Sequence, residues 1–201
     1  PDGILTHWGL PAEQFVPVPG LAEVLAAAGI PTHLLLPYSL MGTGLSRILH
    51  RGIQHRHSHA GYSDLWPRLH DVLHATAGQR CYINVYWPAV DSIAHQYGAY
   101  NHYVRFEIKQ QLTYLREALA VPEARDGRTL VLLLADHGHA DAPHDINLSK
   151  DAPARPIFDA LRASFGGENR LPFLYLREGT KAAVIETLER DYAESLTWVE
   201  P

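Results

Sequence analysis

A chain of 201 residues is long enough to bury one sizeable α/β core, and with 46% hydrophobic and 19% charged residues its composition is globular rather than disordered. A formal net charge of −5 leaves no basic footprint for nucleic acid, and no apolar stretch approaches the roughly 18 residues of a membrane helix. Cys81 is the single cysteine, which excludes an internal disulfide framework and fits a reducing, cytoplasmic setting, while thirteen histidines raise the prospect of metal chemistry.

The chain opens at Pro1 without a methionine and is expected to be a piece of a longer protein, so a missing signal peptide carries no information. Residues 1–20, with four prolines and three glycines, read as an irregular connecting segment. Leu21 to Ala28 then places Leu21, Val24, Leu25 and Ala28 on one helical face, with Gly29 as a stop and Pro31 beyond it. The run His33-Leu-Leu-Leu-Pro37 is a short buried strand, so the chain takes up an α/β rhythm. Gly42 and Gly44 could form an anion nest, but their spacing fits neither a P-loop nor a dinucleotide fingerprint; a flexible loop leading into a short helix is expected.

His50, His55, His57 and His59 crowd the next stretch. The alternation of the last three suits one face of a strand and a metal, yet no carboxylate or cysteine lies among them, so a solvated polar loop is the expectation. Tyr62 to Ala77 is an amphipathic helix with Leu65, Leu69, Val72 and Leu73 on one side and Ser63 or Asp64 as cap. Cys81 to Trp87, rich in aromatic and β-branched residues, is a second strand. Just past its carboxyl end, Asp91 and His95 stand four apart, so one helical turn faces them the same way and one ion could take both. A helix-dipole aspartate beside an unrelated surface histidine is the plainer alternative. Tyr103 to Leu119 is a long helix with Phe106, Leu112, Leu115 and Leu119 as core residues.

Leu130 to Leu134 is an unbroken aliphatic run, expected to be a strand buried on both faces of a parallel sheet and the centre of the fold. It stops at Asp136, His137, Gly138 and His139, where the carboxyl end of an open α/β sheet gathers ligands. Carboxylate beside imidazole suits zinc or a similar transition metal. The long loop from Ala140 to Pro156 contains His144 and Asp145. A helix over 157–165, a turn over 166–170, a strand over 172–177 and a helix over 180–196 complete the chain. No linker divides it, so residues 1–201 read as one α/β domain.

Together, Tyr86-Trp-Pro-Ala-Val-Asp91-Ser-Ile-Ala-His95-Gln-Tyr-Gly98 and Ala135-Asp-His-Gly-His139 resemble the alkaline phosphatase superfamily, in particular its bacterial nucleotide pyrophosphatase or type I phosphodiesterase branch. Leu36-Pro-Tyr-Ser-Leu-Met-Gly-Thr-Gly-Leu-Ser-Arg47 and the segment from Gly167 to Arg170 are similar to segments of that branch. The resemblance implies a three-layer α/β/α fold with a mostly parallel sheet, here incomplete. It implies two divalent ions, commonly zinc, one held by Asp91 and His95 and the other by Asp136 and His137; apart from what the resemblance implies, His139 or His144 could complete a site. In such enzymes a Thr or Ser attacks phosphorus and a covalent intermediate is then hydrolysed. That nucleophile is expected upstream of Pro1, and a further histidine ligand past Pro201, so Thr6, Thr43 and Ser46 are not assigned the role.

The function this implies is metal-dependent hydrolysis of a phosphodiester or nucleotide pyrophosphate bond in a small-molecule phosphate ester or nucleotide. A metal-dependent phosphomutase or phosphatase of the same superfamily, and a non-catalytic binding domain, stay open. Tyr86, Trp87, Tyr97 and Tyr100 could stack on a nucleobase or serve as packing.

Overall fold

The computed structural model describes Gly9 and residues 11–141, 146–168 and 170–200, and divides the chain into two units, Pro1–Asp141 and Ala142–Pro201. His144 lies outside the described residues.

In the first unit the elements follow one another as α1 (Ala12–Phe15), α2 (Leu21–Ala27), β1 (Thr32–Pro37), α3 (Gly44–Leu49), β2 (His55–His59), α4 (Tyr62–Ala75), β3 (Tyr82–Val85), α5 (Ala89–Tyr97), α6 (His102–Ala118) and α7 (Pro122–Arg125). The three strands form one sheet in the order β2-β1-β3, all parallel. His33 sits opposite His55 on one side and Ile83 on the other; Leu35 sits opposite His57 and Val85. Strand β1 is therefore the centre of the sheet, and it is buried from Thr32 to Leu36. Leu35 packs with Leu65, Trp66, Leu69 and Val72 of α4 and Ala118 of α6. By alternation Leu34 and Leu36 turn to the opposite face, and they are buried as well. Burying a leucine side chain stabilises the fold by roughly 1.5–3 kcal/mol, so this strand alone anchors both faces.

Three local expectations need correction. The run Leu130–Leu134 is in no strand, and its side chains are open to water, Leu130 at 81% and Leu134 at 84% exposure. A strand needs a neighbour for its backbone N–H and C=O groups. On one edge β3 pairs with β1, and no described residue pairs with its other edge. Aliphatic character alone does not supply a ladder, so among the described residues the parallel sheet stops at three strands. Conversely, His55–His59 is a strand rather than a loop, because main-chain pairing along β1 holds it despite its polar side chains. On α6 the buried residues are Val104, Glu107 and Ala118, whereas Phe106 and Leu112 are exposed. Glu107 takes the inward face because its carboxylate accepts the Trp87 indole N–H at 2.7 Å and the Tyr62 hydroxyl.

The second unit holds α8 (Arg155–Asp159), an antiparallel hairpin of β4 (Gly166–Glu168) and β5 (Leu171–Phe173), and α9 (Lys181–Asp191). Ala154, Ile157, Ala160, Val184 and Tyr192 form its core. The hydroxyl of Tyr192 donates to Asp151 at 2.5 Å. Burial first, then this carboxylate, push the phenol up to about 12. The expected helix over 157–165 ends at Asp159, and the expected strand over 172–177 is reduced to β5 plus a single bridge from Leu176 to Leu161.

Candidate metal centre

Strand β3 ends at Val85, and α5 starts four residues later at Ala89. Asp91 lies in the first turn of α5, where a carboxylate is favoured by the helix dipole. His95 follows one turn on, and its Nε2 lies 3.3 Å from Asp91 Oδ1. The helix ends at Gly98, whose φ of +89° a side chain would strain. That turn exposes the Ala99 N–H, which donates to Asp141 Oδ1 at 2.6 Å. Asp141 therefore ties the segment after the aliphatic run to the carboxyl end of α5.

The consequence is a meeting of residues far apart in sequence. His139 Nε2 lies 2.9 Å from Asp91 Oδ1, and His137 Nε2 lies 3.8 Å from the same oxygen. Asp91, His137 and His139 each offer a ligand atom, all within 4.8 Å of one another, the one such group of three found among the described residues. The His137 Nδ1 contacts the Gly138 carbonyl at 2.9 Å. When Nδ1 carries the proton and donates it there, Nε2 is the nitrogen presented to the cluster, the arrangement typical of a metal-ligating imidazole. Two imidazoles and a carboxylate are a donor set that suits zinc and related transition metals. The group is open to solvent, with side-chain exposures of 44% for Asp91, 52% for His137 and 20% for His139.

The structure thus brings together Asp91, His95, His137 and His139. Their grouping differs from the expected partition into an Asp91/His95 site and an Asp136/His137 site, because the hub is a single oxygen, Asp91 Oδ1. Asp136 stays at the margin: its Oδ2 is 3.8 Å from His137 Nε2, its Oδ1 accepts the His137 N–H at 3.2 Å, and its side chain is largely exposed. Tyr86 completes the surroundings. Burial first, then the charges of Asp136 and Asp91, hold its phenol above the ordinary tyrosine range.

Asp141 escaped the sequence reading, and Gly98 entered it only as the last residue of the Asp91 motif. Both were visible as residues, but only the folded loop shows that one caps the turn formed by the other. Thr43, by contrast, accepts the Ser46 N–H as the cap of α3, a local structural task. Among the described residues no helix is long and apolar enough to cross a membrane.

Comparison of the chain with protein-family models, curated proteins and solved structures finds no match to any of them. What the fold and the cluster define is an α/β protein, with a small parallel sheet, that carries, among the described residues, one group of three whose ligand atoms already stand close enough for a metal ion.

Proposed function

We propose that this chain carries the metal-binding part of a hydrolase acting on phosphodiester or nucleotide pyrophosphate bonds. The observation that carries the reading is the convergence of Asp91, His137 and His139 at an open position just beyond the carboxyl end of a parallel strand. Open sites with three protein ligands are typical of catalytic rather than structural metals. A bound divalent ion would neutralise charge on phosphoryl oxygens and activate a hydroxyl or water. The resemblance carried by Asp91-x-x-x-His95 and Asp136-His-Gly supports the phosphate-ester class. Zinc as the metal, a second ion near Asp136 and a three-layer alkaline-phosphatase-like architecture belong to this reading. So does a cytoplasmic setting, which goes with the lone Cys81.

The chain's own residues have definable tasks in it. Asp91 supplies the negative charge that attracts the cation. His137, oriented by the Gly138 carbonyl, and His139, half enclosed, supply neutral nitrogens. Asp136, exposed beside them, leaves a carboxylate for a further ligand or for solvent. Tyr86, exposed and next to both carboxylates, offers a ring face and a hydroxyl to a substrate.

The test combines metal analysis of the chain with hydrolysis of bis- and mono-p-nitrophenyl phosphate by a longer protein that includes the expected nucleophile, with and without chelator. Chelator-sensitive cleavage of the diester, lost together with bound zinc in Asp91→Ala, is the expected result. Faster cleavage of the monoester would move the reading to a phosphatase. Transfer of a phosphoryl group without release of free phosphate would move it to a phosphomutase. Metal bound without turnover would leave a non-catalytic binding domain.

A further inference from the structure

A second set of imidazoles lies elsewhere on the sheet. His33 is the second residue of β1, and His55 and His57 are the first and third residues of β2. The register places His33 opposite His55 and Leu35 opposite His57. Residues two apart on a strand share a face, so the three histidines project from the same side of the sheet as Leu35. His33 Nδ1 lies 3.2 Å from His57 Nε2. The His55 ring stacks on His33 with centroids 4.5 Å apart. The cluster lies toward the amino ends of its strands, whereas the Asp91 group follows a carboxyl end. The two groups share no residue.

We propose that His33, His55 and His57 form a separate site for a borderline transition-metal cation such as zinc, nickel or copper, clipping the edge strand β2 to the central strand β1. The geometry favours it. Two nitrogens of one tetrahedral zinc, at bonds of roughly 2.0–2.1 Å, stand about 3.3 Å apart. The His33–His57 separation of 3.2 Å is already that distance, so an ion replaces the shared proton by tilting two rings rather than moving two strands. His55 stacks on His33 without bringing a nitrogen into ligand range of both other rings, so it becomes the third ligand only when its exposed ring turns about its side-chain torsions. An all-imidazole donor set selects zinc, copper and nickel over magnesium or calcium, which take oxygen ligands.

The chemistry of the surroundings agrees. Imidazole ligates in its neutral form. Burial is the leading influence that holds His33 and His57 below the ordinary histidine range. Arg68, the cation whose field reaches His57, stands 3.9 Å from Asp64, which offsets its charge.

Calorimetric titration of the metal-free full chain with nickel or zinc tests the site. The titration is read by difference: His57→Gln and His55→Gln should each take one equivalent fewer than the wild type, and Asp91→Ala should keep the equivalent that they lose. Copper bound to Asp91→Ala should show nitrogen hyperfine structure in its electron paramagnetic resonance spectrum, and the added His57→Gln change should remove it. His74→Gln, at a well exposed position on α4, serves as the control that changes nothing. Should His33→Gln fail to fold, His55→Gln still decides, since its side chain is exposed and its removal leaves the core untouched. Equal stoichiometry and affinity in wild type, His55→Gln and His57→Gln would overturn the proposal, whatever happens at Asp91.

Discussion

His139 Nε2 stands 2.9 Å from Asp91 Oδ1 although the two residues are 48 positions apart. That contact joins the helix after β3 to the segment after the aliphatic run, and it is the shortest contact between two of the candidate ligand side chains. His139→Ala is therefore expected to weaken zinc binding by more than about 100-fold, beyond the 10–100-fold that loss of an outer partner costs. Asp136→Ala, at the exposed margin, should cost less than His139→Ala. Competition against a chromophoric chelator measures both; equal losses would place Asp136 inside the ligand set and His139 outside it.

Asp141 is a positioning residue in this scheme. It accepts the Ala99 N–H and lies 3.1 Å from where a Cβ on Gly98 would stand. Asp141→Ala should lower zinc affinity by roughly 10-fold, within the range for groups that orient ligands, while Asp141→Asn, which keeps an acceptor oxygen, should recover most of it. Gly98→Ala should resemble Asp141→Ala, because it strains the positive φ and crowds the same carboxylate. A purely structural role would lower the unfolding midpoint in step with affinity, so urea denaturation run beside the zinc titration separates the two.

The parts of this architecture legible in the sequence are those set by local pattern. Leu34, Leu35 and Leu36 between turn signals defined β1, and the spacing of Leu65, Leu69 and Val72 defined the buried stripe of α4. Asp91 and His95 were readable as one helical turn, and Asp136 with His137 as a polar stop after an apolar run. What was not legible depended on pairing. Leu130–Leu134 has stronger aliphatic character than β2, yet β2 is the strand because β1 offers it a ladder. His139 as the near neighbour of Asp91 depends on how Asp141 folds the loop back, and no spacing rule encodes that. The inward place of Glu107 had no local signal, because its two donors, Tyr62 and Trp87, come from distant segments.

Glu107 supplies a stability prediction. It is buried at 8% exposure, and one of its oxygens receives both the Trp87 N–H and the Tyr62 O–H. Burial first, then the bond to Glu107, hold the Tyr62 phenol above its ordinary range. Glu107→Ala strands two half-buried donors and should cost up to about 1–3 kcal/mol for each left unsatisfied. Glu107→Gln keeps an acceptor and should cost less than half as much. Chemical denaturation followed by tryptophan fluorescence measures both; a neutral Glu107→Ala would show that water reaches the donors.

The cap of α4 predicts part of the acid limb of stability. Asp64 accepts the Gly61 N–H at 2.9 Å and the Ala60 N–H at 3.0 Å. These two bonds, the Ala60 bond foremost, hold its carboxyl below the ordinary aspartate value of 3.8. Between the folded value and 3.8 the unfolded chain binds more protons than the folded one, so stability rises with pH across that window. The contribution is complete above the unfolded pKa and is lost as pH falls through the folded one. Asp64→Asn should therefore lower the urea midpoint at pH 7 and leave it nearly unchanged near pH 2, narrowing the difference between the two. An unchanged difference would mean that other carboxylates, such as Glu123 beside His74, carry the acid limb alone.

The exposed aliphatic run makes the sharpest prediction about the fold. Leu132 and Leu134 are 70% and 84% exposed, and no described residue pairs with their backbone in a ladder. Surface substitutions of this kind normally change stability by no more than about 0.5 kcal/mol. Leu132→Asp/Leu134→Asp should therefore leave the unfolding midpoint almost where it is, while lowering the binding of an apolar dye such as anilinonaphthalene sulfonate, since contiguous exposed aliphatics attract it. The opposite result has an equally specific meaning. If the double aspartate variant loses several kcal/mol, in the range for burying unpaired charge, then Leu130–Leu134 packs as a strand in solution. The edge of β3 that no described residue pairs with is the place where a parallel ladder could receive it. Hydrogen exchange at the Leu132 and Leu133 amides then decides directly: fast exchange goes with an open segment, and protection comparable to that of Leu34 in β1 goes with a fourth strand.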